Sequence, residues 1–165
     1  MTITVFMTNY SKILNNAWEY LIKEYQKGMF KPSNEAEIQA FLYHSLIKKG
    51  LDPSKIHLER PGEKPGEKGR RCDVVLGPKR LFIEIKWSYP KNRIKPSVKW
   101  KKEWEKLKKW GGNRKPVLVL FVAEGNGRYL SEKEYKEKYP GLIKTIKELK
   151  QYISKDALVL SYPRT

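Results

Sequence analysis

Cysteine is all but absent from this 165-residue chain: Cys72 is the only one, which excludes an internal disulfide and any all-cysteine zinc cluster. A reducing, intracellular setting is the expectation. Histidine is almost as scarce, and His44 and His57 stand outside any metal-ligand or base–nucleophile spacing, so both read as structural. No P-loop, dinucleotide fingerprint or serine or cysteine nucleophile motif occurs, which disfavours nucleotide-driven and acyl-transfer chemistry. Long apolar runs are missing too. The longest, Val117 to Ala123, is far short of a bilayer span, and Met1 to Met7 lacks the basic start and apolar core of a signal peptide. A cytoplasmic chain with no membrane partner is expected.

Acidic residues are also in short supply. Against 18 Asp and Glu stand 35 Lys and Arg, a formal net charge of +17, and such an excess suits a polyanionic partner. Hydrophobic residues at 39% and aromatics at 12% exceed what basic disordered tails carry, so the charge decorates a packed core.

Along the chain, Ile13, Leu14, Ala17, Trp18, Leu21, Ile22 and Tyr25 recur at helical spacing and predict an amphipathic helix over about 10–27, stopped by Gly28. A second helix follows Pro32, Ser33 and Asn34, with Ile38, Phe41, Leu42, Ser45 and Leu46 on one face and Gly50 at its end. Asn34 and Glu37 have capping-box spacing. A short strand is expected from Lys55 to Glu59, and the doubled phrase from Pro61 to Gly69 reads as a mobile loop. Cys72–Leu76 and Leu81–Trp87 form a hairpin pattern around Gly77 to Arg80. After a basic loop, Val98 to Trp110 has helical periodicity, with Trp100, Trp104, Leu107 and Trp110 on its apolar face. Val117–Val122 suits a buried strand, helices are expected over about 131–138 and 141–153, and Ala157–Tyr162 is a last strand. The whole reads as one mixed α/β layer sandwich.

Chemistry concentrates in the hairpin. If its loop is symmetric, Leu76 faces Leu81 and, by the same register, Asp73 faces Glu84 with Cβ atoms about 4.5–5.5 Å apart. Strand alternation adds Lys86 to that side. Two carboxylates side by side repel unless a proton or cation is shared. Oxygen ligands select Mg²⁺ or Mn²⁺, and Mg²⁺ favours sites completed by substrate phosphates. Lys86 could then orient or help deprotonate the attacking water, giving metal-assisted phosphodiester hydrolysis. The plain alternative is a cross-strand salt-bridge ladder on a solvated sheet face.

The string Arg71-Cys72-Asp73-Val74-Val75-Leu76, followed after a short turn by Phe82-Ile83-Glu84-Ile85-Lys86, resembles the PD-(D/E)XK nuclease superfamily, which includes many restriction endonucleases and archaeal Holliday junction resolvases. Cys72 stands where the motif's name puts proline. The resemblance implies a restriction-endonuclease-like mixed β-sheet flanked by helices, with an αβββαβ core over about 34–122. An extra N-terminal helix and a C-terminal αβ extension over about 129–163 would complete a single domain, 1–165. It implies a Mg²⁺-dependent DNA endonuclease, junction-specific or restriction-type, and by analogy a homodimer. Asp73, Glu84 and the Ile85 backbone carbonyl would hold the metal, Lys86 would serve the water, and a helix glutamate would assist.

For that glutamate the helical wheel favours Glu35, which precedes Ile38, Leu42 and Leu46 on the core-facing stripe, over Glu37, which points away and has a capping role open to it. Gln39, one turn along from Glu35, is placed to support the site; Glu59 is a further candidate. Lys64, Lys68, Arg70 and Arg71 arrive just before Asp73, and Tyr89, Lys91, Arg93 and Lys95 interleave an aromatic with bases just after Lys86, as nucleic-acid grooves often do. The rival from another class is a non-catalytic basic nucleic-acid-binding protein on the same fold.

Overall fold

In a computed structural model, residues 3–61, 71–77, 81–88, 101, 102, 105, 108, 116–123, 128–153 and 158–165 are described. The first helix, α1 (Ile3–Gln26), buries Leu14, Ala17, Trp18, Leu21, Ile22 and Tyr25, the stripe its periodicity marks. It begins upstream of the expected residue 10, because no glycine or proline interrupts the preceding turn. Gly28 closes it in the left-handed region at φ 73°.

Helix α2 (Glu35–Lys48) is capped by Asn34, whose side chain accepts the Glu37 N–H. The reciprocal bond lands one residue earlier than the capping-box spacing implies: the Glu37 carboxylate accepts from the N–H of Ser33 at 2.7 Å.

Five strands form one mixed sheet in sequential order: β1 (Ile56–Pro61), β2 (Arg71–Leu76), β3 (Leu81–Ser88), β4 (Pro116–Val122) and β5 (Leu158–Tyr162). β2 runs antiparallel to both its neighbours, β1 and β3, whereas β3, β4 and β5 run parallel. Parallel neighbours need crossovers. Helices α3 (Glu132–Lys138) and α4 (Pro140–Ile153) lie between β4 and β5 in the chain. Of the helix expected from Val98 to Trp110, residues 101, 102, 105 and 108 are described and all are helical. The loop expected at 61–69 beyond Pro61, the turn 78–80, the basic stretch 89–97, the tryptophans at 100, 104 and 110, the glycines at 125 and 127, and residue 157 lie outside the described residues.

Every residue of β4 is buried, as an unbroken apolar run with a parallel neighbour on either side requires. Its Phe121 meets Tyr25 and Trp18 edge-on at 5.1 and 6.0 Å and stacks on Tyr162 at 5.7 Å, so helix and sheet share one aromatic core. At the end of β2, Gly77 has φ 65°, and a Cβ there would sit 2.8 Å from the Tyr10 ring of α1. Glycine lets this turn pass beneath α1.

Phe121→Ala should remove about 3–5 kcal/mol of stability. Urea unfolding followed by tryptophan fluorescence would check it, and a loss below about 1 kcal/mol would contradict the central place given to this ring.

Candidate active site

Strands β2 and β3 keep the register of a symmetric hairpin, with Leu76 facing Leu81, Val75 facing Phe82 and Val74 facing Ile83. The ladder stops there. β2 stays paired with β1 as far as Arg71 while β3 stays paired with β4 as far as Ser88, so past Val74 the two strands separate. From that fork onward, no strand among the described residues lies along the β2-facing edge of β3. Amides two residues apart on a strand point the same way, and buried donors require acceptors.

Carboxylates take that place. Asp73 Oδ2 accepts the Ile85 N–H at 2.6 Å, and Glu35 Oε1, from the first turn of α2, accepts the Trp87 N–H at 3.3 Å. One turn further along α2, Gln39 Nε2 donates to the Asp73 carbonyl at 2.6 Å. Helix α2 therefore grips both strands at the fork. The expected face-to-face pair of Asp73 and Glu84 is corrected accordingly: the ladder ends one step short of it, because β2 stays with β1 and β3 with β4, and the Asp73 carboxylate turns to the backbone of β3.

On β3 itself, Lys86 Nζ lies 2.9 Å from Glu84 Oε1 and 3.7 Å from Glu35 Oε2. The Lys86 and Glu84 side chains are only 11% and 13% exposed, which removes the solvated-face ladder as an account of them. Burial alone would push the Lys86 ammonium toward the neutral form. The Glu84 carboxylate in contact with it, helped by Glu35 and Asp73, outweighs burial and raises its pKa above the ordinary 10.5. Lys86 is a cation at neutral pH, suited to orienting an anion or a water rather than accepting a proton. A buried ion pair costs desolvation, and Lys86 offsets part of it for both Glu84 and Glu35.

The thiol beside the site is inert. Cys72 Sγ lies against the carbonyls of Ile83 and Val74, and burial, then the charges of Glu84 and Asp73, push its pKa up to about 12.

The fold thus gathers Asp73, Glu84, Lys86, Glu35 and Gln39 around the fork. Ile85, expected to offer its carbonyl, engages Asp73 through its N–H. Glu37 is exposed and turned to Ser33. The register places Glu59 between the Leu58–Val74 and Arg60–Cys72 pairs, at the position next to Asp73. Arg71 opens β2, whereas Lys64, Lys68, Arg70, Tyr89, Lys91, Arg93 and Lys95 lie outside the described residues. His44, read as structural, is exposed on α2. The Trp87 amide was missed as a partner of Glu35: a backbone donor leaves no mark in side-chain periodicity. Among the described residues, no three histidine, cysteine or acidic side chains form a metal-binding group.

Comparison with protein-family models, curated proteins and solved structures finds no match to this chain.

The raised Lys86 pKa has a defined sign. A lysine whose folded pKa exceeds its unfolded value contributes stability that is fully present below about pH 10.5 and is lost as pH rises through the folded pKa. The stability difference between the wild type and Lys86→Met should therefore hold constant from pH 7 to about 10 and shrink at higher pH. Urea titrations of both proteins across that range would test this; a difference already falling between pH 7 and 9 would contradict the ion pair.

Proposed function

We propose that this chain is a divalent-metal-dependent nuclease that hydrolyses phosphodiester bonds in DNA, built on the PD-(D/E)XK plan. The observation that carries the reading is the fork between β2 and β3. There a nearly buried Glu84–Lys86 contact and an Asp73 carboxylate fixed on the same strand converge on a chain of net charge +17. The succession of α2, β1, β2, β3, the helical residues within 101–108 and the parallel strand β4 supports a restriction-endonuclease-like αβββαβ core.

The donors suit a hard cation: carboxylate oxygens of Asp73 and Glu84, the Ile85 carbonyl and, at one remove, Glu35 favour Mg²⁺ or Mn²⁺ over softer ions. A set with few protein ligands is the kind Mg²⁺ uses when substrate phosphates and water complete its shell. When bound, such an ion supplies Lewis-acid stabilisation at the attacked phosphorus.

The protein's own part is positional. Asp73 is held from two sides, its carboxylate by the Ile85 amide and its carbonyl by Gln39. Glu84 is held by Lys86, and the Lys86 ammonium is available to draw in a phosphate oxygen and orient the attacking water. Glu35 tethers α2 to β3 and shares the charge of Lys86.

The test is a panel of supercoiled, linear, single-stranded and four-way branched DNA, incubated with Mg²⁺, Mn²⁺ or chelator. Cleavage should require the metal and fall by more than about 100-fold in Asp73→Ala and in Glu84→Ala, beyond the 10–100-fold typical of supporting residues. DNA binding should persist in both. Binding without cutting of any substrate under either metal would replace this reading with a non-catalytic nucleic-acid-binding protein.

A further inference from the structure

On the side of α2 turned away from the fork, the structure carries a second feature that the proposed reaction does not use. Glu37, Ala40, Phe41 and His44, spaced along one stripe of the helix, combine with Met29, Phe30 and Lys31 to line a shallow groove of about 420 Å³. Buried Phe30 and half-buried Phe41 make its floor. The rim is exposed: Met29 keeps 72% of its surface in water, an unusual setting for a large apolar side chain, and His44 and Lys31 stand beside it. Glu37 shares the rim with its carboxylate held by the Ser33 N–H and hydroxyl.

The aromatic floor continues beyond the groove. Phe30 stacks on Phe41 at 4.3 Å, and Phe41 lies nearly parallel to Tyr20 of α1, 13° between planes and 6.4 Å between centroids. Lys49 and Lys48 hold their ammonium groups 4.9 and 5.9 Å from the Tyr20 ring. The surface is therefore a row of rings with a cation at each end, Lys31 at one and Lys48 and Lys49 at the other.

We infer that this groove takes an unpaired nucleobase of a single-stranded segment, with Lys31, Lys48 and Lys49 drawing the flanking phosphates. The inference rests on the nucleic-acid reading above and adds a substrate class to it: DNA with an unpaired stretch, held on the opposite side of α2 from Glu35 and Gln39. Three observations choose this occupant. The volume lies in the range of small-molecule sites. The apolar floor matches the flat face that every base presents. The lysines and the overall charge of +17 complement a phosphate backbone.

The experiment measures, in chelator, the affinity of the full chain for a short fluorescent single strand and for a duplex of the same sequence, in wild type, Met29→Asp and Lys49→Glu. Both substituted positions are exposed, so folding should survive, and thermal unfolding would verify it. Met29→Asp should weaken single-strand binding by about tenfold or more while changing duplex affinity less than about twofold, and Lys49→Glu should weaken binding and make its salt dependence shallower. A strand carrying 5-iododeoxyuridine should photocrosslink to Met29, Phe41 or His44.

Single-strand affinity unchanged in Met29→Asp, with crosslinks mapping elsewhere, would overturn the inference. So would a wild-type dimer that Met29→Asp dissociates with no effect on single-strand binding, which would assign the face to a second copy. The two proposals fail separately: metal-dependent cleavage without a groove effect removes this one alone, whereas groove-dependent binding by a chain that cuts nothing leaves it standing and removes the nuclease.

Discussion

The site depends on one requirement of backbone chemistry: when β2 leaves β3 past Val74, the amides of Ile85 and Trp87 on the exposed edge of a buried strand still need acceptors. Asp73 and Glu35 answer it with carboxylates where a neighbouring strand would have offered carbonyls. The same bonds that close the edge concentrate acidic side chains at one point of the sheet. Structure and chemistry are coupled there: a carboxylate recruited to satisfy β3 is also a hard oxygen donor facing the site.

Lys86 follows from that concentration. Three acids drawn to one fork would repel one another, and among the described residues the Lys86 ammonium buried beside them lowers that repulsion. Its raised pKa measures how strongly the surrounding carboxylates favour the charged form despite burial. In the proposed reaction this residue would act by charge and position, and any bound divalent ion would enter a field that Lys86 already partly compensates.

Helix α2 is the element that joins these parts. Its inward stripe places Glu35 and Gln39, four residues apart, on β3 and β2 respectively, and its outward stripe builds the groove with Phe30 and Met29. Packing against α1 and the aromatic core around Phe121 holds the helix in that attitude. One rigid helix thereby relates two surfaces of different chemistry, one charged and nearly buried, the other aromatic and open.

Much of this was legible in the residues themselves. The apolar stripe of α1, the capping of α2 by Asn34, the continuous run of β4 and the hairpin register from Leu76 and Leu81 all follow from local periodicity and turn chemistry, which act over a few residues and leave their pattern in the chain. The wheel likewise separates Glu35 from Glu37, because one face of a helix must meet the core. What the tertiary structure alone decided is where the β2–β3 ladder ends, that Asp73 turns to the Ile85 amide, and that Phe41, Phe30 and Tyr20 from separate segments align in a row. Those outcomes depend on backbone donors and on contacts between distant segments, neither of which has a side-chain period to betray it.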